Sequence, residues 1–122
     1  MAHKPLPMCP VETTLMLVSS RWKVLILRDL FCGTKRFGEL KKSLTDISQK
    51  VLTQNLKDLE EDGLLTRKAY AEVPPRVEYS LTELGASLKP VICAMYDWGH
   101  SYKELNGAPT SEMVEELGQA LH

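Results

Sequence analysis

Residues 47–64 read ISQKVLTQNLKDLEEDGL, and this stretch decides the fold of the chain. Ser48 is a favourable N-cap, because a serine hydroxyl can accept a hydrogen bond from a free amide of the first helical turn. At the other end, Gly63 and Leu64 match a Schellman ending, in which a glycine adopts the left-handed conformation just past the last turn. The stretch therefore predicts one helix that starts after Ser48 and runs to about Asp62.

The two sides of this helix carry different chemistry. With a rotation of about 100° per residue, Leu52, Leu56 and Leu59 form one apolar stripe that should face a core. A second arc is polar and contains no carboxylate; its members are Gln49, Lys50, Thr53, Gln54 and Lys57. Glutamine can pair with adenine, threonine can touch the thymine methyl group, and lysine can reach guanine or phosphate, so the arc suits the major groove of duplex DNA. Its members and Ser48 before them are the residues of this helix expected to bind DNA. An ordinary solvated helix face is the alternative interpretation.

The residues upstream of this helix predict three more helices. Apolar periodicity indicates helices over residues 11–18, 22–32 and 37–44, the second of them apolar on nearly all sides and therefore buried. Gly33 can end that second helix. A turn at residues 45–47 then joins the third helix to the fourth, as in a helix-turn-helix.

The residues downstream predict a β-hairpin. Residues 64–70 and 76–81 read as strands, and the segment between them contains Pro74 and Pro75. Proline cannot donate to a β-ladder, so this pair belongs at the hairpin tip. Two consecutive helices followed by such a hairpin, or wing, are typical of a winged helix-turn-helix.

The C-terminal part predicts helices again. Thr82 can cap a long helix over about residues 83–105, which Pro90 should kink. The expected fold is therefore mainly α with a small β-hairpin wing, a winged helix-turn-helix with N- and C-terminal dimerisation helices. The chain divides into a flexible arm, the winged helix-turn-helix domain and an acidic amphipathic helix, at residues 1–8, 9–107 and 108–122.

The charges are unevenly distributed along the chain. The formal net charge of −1 taken alone argues against a nucleic-acid partner. However, residues 21–76 hold twelve Lys or Arg against eight Asp or Glu, and residues 77–122 hold two against seven. A basic middle indicates a region that faces a polyanion. The residues expected to contact the DNA backbone from the wing and the preceding segments are Arg36, Lys41, Arg67, Lys68, Pro74, Pro75 and Arg76.

Other classes of protein find no support in the sequence. There is no Gly-rich phosphate loop and no nucleophile with a plausible partner, so we expect neither an enzyme nor a cofactor. The three cysteines form no CxxC motif and the three histidines lie near the ends, so no metal site is expected. Without a signal peptide or an apolar run of about 18 residues, a cytoplasmic protein with free thiols is expected and no membrane contact.

The succession of motifs resembles the HxlR family of bacterial winged-helix regulators, which is related to the MarR superfamily. The matching pieces are CPVE at 9–12, RWKVLIL at 21–27, RFGEL at 36–40, ISQKVLTQ at 47–54, LKDLEEDGL at 56–64 and EVPPRVEYSLT at 72–82. The resemblance covers residues 9 to about 107, and its departures are minor, such as Ser19-Ser20 in place of a more usual glycine pair. It implies a dimeric DNA-binding regulator that reads DNA with the helix beginning at Ser48 and contacts the backbone around Pro74, Pro75 and Arg76.

These observations predict a sequence-specific transcriptional regulator of double-stranded DNA, expected to be a repressor that binds a palindromic operator as a homodimer. The long C-terminal helix carries more apolar bulk than one small domain can use, although core packing is the alternative use for each residue. The residues expected at the dimer interface are Leu15, Ile92, Met95, Tyr96, Trp98 and Tyr102.

The signal that such a regulator would sense is left open by the sequence. In some members of the HxlR family the cysteine of the N-terminal Cys-Pro pair senses electrophiles or oxidants, and Cys9 occupies that position. Cys9 would start the first helix, whose dipole favours a thiolate, whereas a lone cysteine can also be a small buried hydrophobe. Cys32 and Cys93 are placed on apolar helix faces and expected to be inert. A small-molecule effector on the same fold, or a winged-helix protein-interaction adaptor, are the alternatives.

Overall fold

The computed structural model describes residues 5–107 of the chain. The acidic helix expected at 108–122 and the first four residues of the arm lie outside the described residues. Residues 5–8 precede the first helix without helix or strand of their own. The helices and strands follow in the order α1 (Pro10–Val18), α2 (Arg21–Leu30), β1 (Lys35–Arg36), α3 (Phe37–Ser43), α4 (Gln49–Glu61), β2 (Leu65–Tyr70), β3 (Arg76–Leu81), α5 (Glu83–Ala86) and α6 (Lys89–Leu105).

Both ends of α4 are as the sequence predicted. The Ser48 hydroxyl accepts a hydrogen bond from the Val51 amide at 3.1 Å. At the C-terminus the Leu64 amide donates to the Leu59 carbonyl at 3.0 Å, and Gly63 takes a φ of +77°. This is the Schellman arrangement, and it satisfies carbonyls that the end of a helix would otherwise leave unpaired.

The core is built from leucines and isoleucines of α2, α3 and α4. Leu52, Leu56 and Leu59 are buried, which confirms the apolar stripe of α4. They pack with Ile26 and Leu27 of α2 in one cluster. The second helix is less enclosed than expected, because it ends at Leu30 and its residues 24 and 25 are only half-buried.

A short strand joins the hairpin into a three-stranded antiparallel sheet in the order β1-β3-β2. In β1, Lys35 pairs with Tyr79 and Arg36 with Glu78. Sequence periodicity missed this strand because two residues are too few to display an alternation. Its consequence is that the start of α3 is hydrogen-bonded to the wing, so the wing and the helix-turn-helix share one sheet.

The long helix expected after Thr82 is in fact two helices. The Thr82 hydroxyl accepts from the Gly85 amide at 3.0 Å and so caps α5, as predicted. The chain then breaks before Lys89, and Pro90 lies in the first turn of α6. The expected kink at Pro90 was therefore wrong, because proline fits the first turn of a helix, where its missing N–H has no partner to lose. None of the helices within residues 5–107 has the length and apolarity needed to cross a membrane.

Candidate nucleic-acid interface

The polar arc of α4 faces outward. Every one of its five side chains is exposed, and the Ser48 that precedes them is exposed as well. The buried leucines on the other side of the helix hold this arc in place. The residues that the arc presents together are Gln49, Lys50, Thr53, Gln54 and Lys57.

One member of the arc already has a partner. The Gln54 side-chain amide donates from Nε2 to Oδ1 of Asp58 at 2.9 Å. The other carboxylate oxygen of Asp58 lies 3.8 Å from Nζ of Lys23 in α2. The sequence reasoning missed this group, although an acidic residue four positions after a glutamine on a helix is a known stabilising pair.

A second polar side chain of α4 is buried. Asn55 is 9% exposed, and its Nδ2 donates to the Val51 carbonyl at 2.8 Å. Its Oδ1 accepts from the Ser20 hydroxyl at 2.9 Å. Asn55 was not singled out from the sequence. The feature that could have identified it is its position as a polar residue at the border of an otherwise apolar stripe.

Two cations, Arg36 at the N-cap of α3 and Lys42 within α3, line a cleft against the wing. Arg36 is exposed at the start of α3, and its amide donates to the Glu39 carboxylate at 2.9 Å. Lys41 is half-buried, whereas Lys42 is exposed. The cleft has a volume of about 590 Å³, and its lining includes Arg36, Phe37, Lys42, Pro74, Pro75 and Arg76.

The wing separates its cations into two kinds. Arg67 and Lys68 of β2 are exposed, and Lys68 Nζ lies 5.0 Å from the centre of the Tyr70 ring. The Arg76 guanidinium stacks on the same Tyr70 ring, with Cζ 3.9 Å from the ring centre. Arg76 Nη2 also lies 3.1 Å from a carboxylate oxygen of Glu72. Arg76 is thus engaged inside the wing, while Arg67 and Lys68 are presented to solvent.

The wing tip carries the two prolines, both of them exposed. The peptide bond between Val73 and Pro74 is cis. Val73 is fully exposed at the same tip. Pro74 and Pro75 thus lie between β2 and β3, at the hairpin end where the sequence predicted them.

The three cysteines have different environments. Cys9 is exposed and is the N-cap residue of α1, without a side-chain capping hydrogen bond. Cys32 is also exposed, which corrects the expectation that it lies on an apolar helix face: α2 ends at Leu30, so Cys32 falls in the following turn. Cys93 is half-buried and packs against the core.

The residues expected at a dimer interface fall into two groups. Leu15 of α1 and Met95, Trp98 and Tyr102 of α6 are exposed, and the rings of Trp98 and Tyr102 stack at 5.4 Å between centroids. By contrast, Ile92 is 3% exposed and belongs to the core of the single chain. Tyr96 is half-buried and packs against that core; its ring stacks on His100. The remaining exposed apolar residues of α1 and α6 are Val11, Val91 and Leu105.

Comparison with known proteins finds the same fold and the same class of protein. The chain is 51% identical to the HTH-type transcriptional regulator YdeP of Bacillus subtilis over 96 residues, which cover 79% of this chain and 75% of YdeP. It is similar to the solved structure of the redox regulator HypR in its reduced form, with a TM-score of 0.77 and 40% identity over 81% of this chain and 98% of that one. The reduced transcriptional regulator YodB of B. subtilis gives a TM-score of 0.67 and 40% identity over 75% of this chain and 91% of that one.

The family assignment rests on most of the chain. Residues 17–106 match the family described as HxlR-like helix-turn-helix. This range includes α4 with both of its caps, the wing and the whole of α6, so the match spans the elements described above. The chain therefore belongs to the HxlR-like helix-turn-helix family of transcriptional regulators.

Proposed function

We propose that this protein binds a palindromic DNA operator as a homodimer, with α4 in the major groove and the wing on the backbone, and represses transcription there. The observation that carries the proposal is the outward face of α4. Five exposed polar side chains without a carboxylate stand on a helix that three buried leucines fix to the core. Recognition helices present base-reading residues in this way, from their N-terminal turns.

The wing supports the same orientation. Arg67 and Lys68 are exposed cations on β2, and cations beside a groove-reading helix contact phosphates. Arg76 contributes less directly, because its charge is paired with Glu72. We therefore assign the phosphate contact of the wing to Arg67 and Lys68, and assign Arg76 to holding the Tyr70 ring. Arg36, Lys41 and the two prolines of the tip are further proposed contacts to the DNA backbone.

The apolar face of α1 and α6 supports a dimer. Trp98 is 70% exposed and Tyr102 is 54% exposed. Large apolar residues grouped on one face indicate a protein interface. A two-fold dimer would bury this face and would place two copies of α4 on half-sites about one helical turn apart. Leu15, Met95, Trp98 and Tyr102 are its proposed contacts; Ile92 and Tyr96 support them from the core side.

Selection of duplexes from a random pool by the reduced protein tests the proposal. We expect a palindromic consensus, and an affinity for it that falls steeply as the salt concentration rises. The reason is that Lys and Arg side chains of the protein displace counterions from the DNA phosphates when they bind. A protein-interaction adaptor would enrich no sequence and would lack salt-dependent affinity for DNA. Enrichment only after addition of a metabolite would instead favour a small-molecule effector.

Replacing Gln49 with alanine should weaken binding to the selected operator by about 1–3 kcal/mol and relax the preference at one base pair. Arg67→Ala is the matched contrast, since it should weaken all sequences alike and reduce the salt slope by about one unit. Titration of both variants against the operator and a scrambled duplex at several salt concentrations measures the two effects. A sequence-dependent effect of Arg67→Ala would contradict the assignment of the wing.

A specific observation favours a response to oxidants. Cys9 is exposed at the start of α1, the helix that carries Leu15 of the proposed interface. HypR is described as a redox regulator and has been solved in an oxidised and a reduced form. We therefore propose that oxidation of the Cys9 thiol changes the contact between subunits and thereby the affinity for the operator.

Treatment with diamide should change operator affinity in the wild type and leave Cys9→Ser unaffected. Cys32→Ser is the matched control, because Cys32 is the other exposed cysteine in the part of the chain that the structure describes. Operator titrations before and after diamide measure the response. An equal response of the wild type and Cys9→Ser would exclude Cys9 as the switch.

A further inference from the structure

Two polar contacts join the beginning of α2 to one side of α4. The Ser20 hydroxyl, which caps α2, donates to Asn55 Oδ1 at 2.9 Å. One turn further along, Lys23 Nζ lies 3.8 Å from Asp58 Oδ2. The partners are three residues apart on both helices, so the contacts follow one another along the facing sides. We call these two contacts the ladder.

The inner contact of the ladder is partly buried and has one arrangement of donors and acceptors. Ser20 Oγ accepts from the Trp22 amide at 3.2 Å, so its single proton is available for Asn55. Asn55 in turn uses its Nδ2 on the Val51 carbonyl. Breaking one member of such a set would leave the others unpaired, which costs more than the hydrogen bond itself contributes. The inner contact therefore fixes where Asn55 lies relative to α2.

The outer contact leads to the polar arc. Asp58 uses one oxygen towards Lys23 and the other to accept from Gln54 Nε2 at 2.9 Å. A glutamine amide has two N–H donors and one carbonyl acceptor. With one N–H directed at Asp58, the second N–H and Oε1 remain, and this is the pair that glutamine offers to adenine. Asp58 therefore orients the Gln54 amide before any DNA is bound.

The ladder lies where it can set the rotation of α4 about its own axis. At about 100° per residue, Asn55 and Asp58 fall between the buried leucines and the polar arc. The buried leucines hold one face of α4 against the core, but hydrophobic contacts are non-directional, so a small rotation about the helix axis is constrained less by them than by a hydrogen bond. The Ser20–Asn55 hydrogen bond at the border of the two faces is directional and adds a constraint on the rotation. The ion pair of Lys23 and Asp58 at 3.8 Å lies beside it.

We propose that Asn55 and Asp58 are positioning residues that determine specificity: through Ser20 and Lys23 they fix the rotation of α4, and Asp58 also orients the Gln54 amide towards the bases. The inference rests on the proposed function, in which α4 reads DNA. It adds that sequence preference depends on residues that touch no base. Affinity for phosphates should not depend on them.

Two variants test the inference by separate routes. Asp58→Ala removes the outer contact at a partly exposed position, where the fold should survive. The double variant Ser20→Ala/Asn55→Leu removes both partners of the inner contact together. It also removes the Ser20 cap of α2, which should cost about 1 kcal/mol, so thermal unfolding first establishes that the variant is folded. Glu60→Ala is the matched control, since it removes the same charge from an exposed position of the same helix. Asp58→Asn keeps an acceptor for Gln54 and should retain most of the preference.

The measured quantity is the ratio of affinities for the selected operator and for a scrambled duplex at one salt concentration. We expect both variants to lower this ratio roughly tenfold, the effect of one misplaced base contact. Glu60→Ala should keep the ratio, and the salt slope should stay unchanged in all of them because the phosphate contacts are intact. An unchanged ratio in both folded variants would overturn the inference, as would an equal loss in Glu60→Ala.

Side-chain amide resonances of the DNA-free protein separate this inference from the proposed function. In Asp58→Ala the Gln54 amide resonances should move to the values of a solvated glutamine, and in Glu60→Ala they should stay in place. Unmoved resonances in Asp58→Ala would overturn the orienting role of Asp58 even if the protein selects an operator. If the wild type selects no duplex at all, the proposed function fails and the specificity role falls with it, whatever the resonances show.

Discussion

A Trp98→Asp variant should be monomeric and should lose binding to the palindromic operator. Trp98 stacks on Tyr102 on the exposed face of α6, where a partner subunit would cover both rings. A central interface tryptophan is worth about 2 kcal/mol or more. A two-fold interface carries each substitution twice, so the dimer should dissociate roughly a thousandfold more readily. Sedimentation velocity measures the subunit state, and operator titration measures the loss of binding.

Leu84→Asp is the matched control for this experiment. Leu84 is an exposed apolar residue of α5, outside the face formed by α1 and α6. The same change of charge there should leave the dimer and operator binding intact. A Trp98→Asp protein that still sediments as a dimer would show that subunits associate through another surface. A monomeric Leu84→Asp protein would likewise show that subunits associate through another surface.

Gly85→Ala should destabilise the protein by about 3 kcal/mol or more, as overpacking against an immovable neighbour does. A Cβ at Gly85 would lie 2.0 Å from the Leu64 carbonyl oxygen and 3.1 Å from Leu81 Cδ2. The carbonyl belongs to the backbone at the end of α4 and also accepts from the Thr82 amide at 3.1 Å. Since the backbone carbonyl of Leu64 cannot yield, α5 would have to separate from the turn that follows α4.

Gly38→Ala provides the comparison for Gly85→Ala. Gly38 lies in α3, and a Cβ there would meet nothing within 4 Å. Alanine in an open helical position should raise stability by up to about 1 kcal/mol. Thermal and urea unfolding of both variants measure the difference. Equal stability of the two variants would contradict the close packing of α5 on the end of α4.

The family comparison and the fold agree closely with what local sequence signals indicated. Ser48, Gly63 and the three leucines of α4 act through contacts within a few residues along the chain, and such contacts form wherever the segment is placed. The sequence signals for the hairpin were equally local. Proline has no N–H to donate to a β-ladder, so the two prolines mark the wing tip between the strands. These features were correct within one or two residues.

The sequence alone did not predict features that depend on residues distant along the chain. The strand β1 exists because Lys35 and Arg36 meet Tyr79 and Glu78, more than forty positions along the chain. The sequence pattern at residues 35–36 does not show which distant residues they will pair with.

The sequence by itself determined the bounds of α4, its two faces and the wing, since capping, amphipathicity and turn chemistry are short-range properties. Only the tertiary structure decided which polar groups are available. It paired Arg76 with Glu72, buried Asn55 against Ser20 and placed Asp58 between Lys23 and Gln54. Charge and hydrogen bonding act over a few ångströms of space rather than along the chain, so the folded arrangement alone sets which side chains remain free to meet DNA.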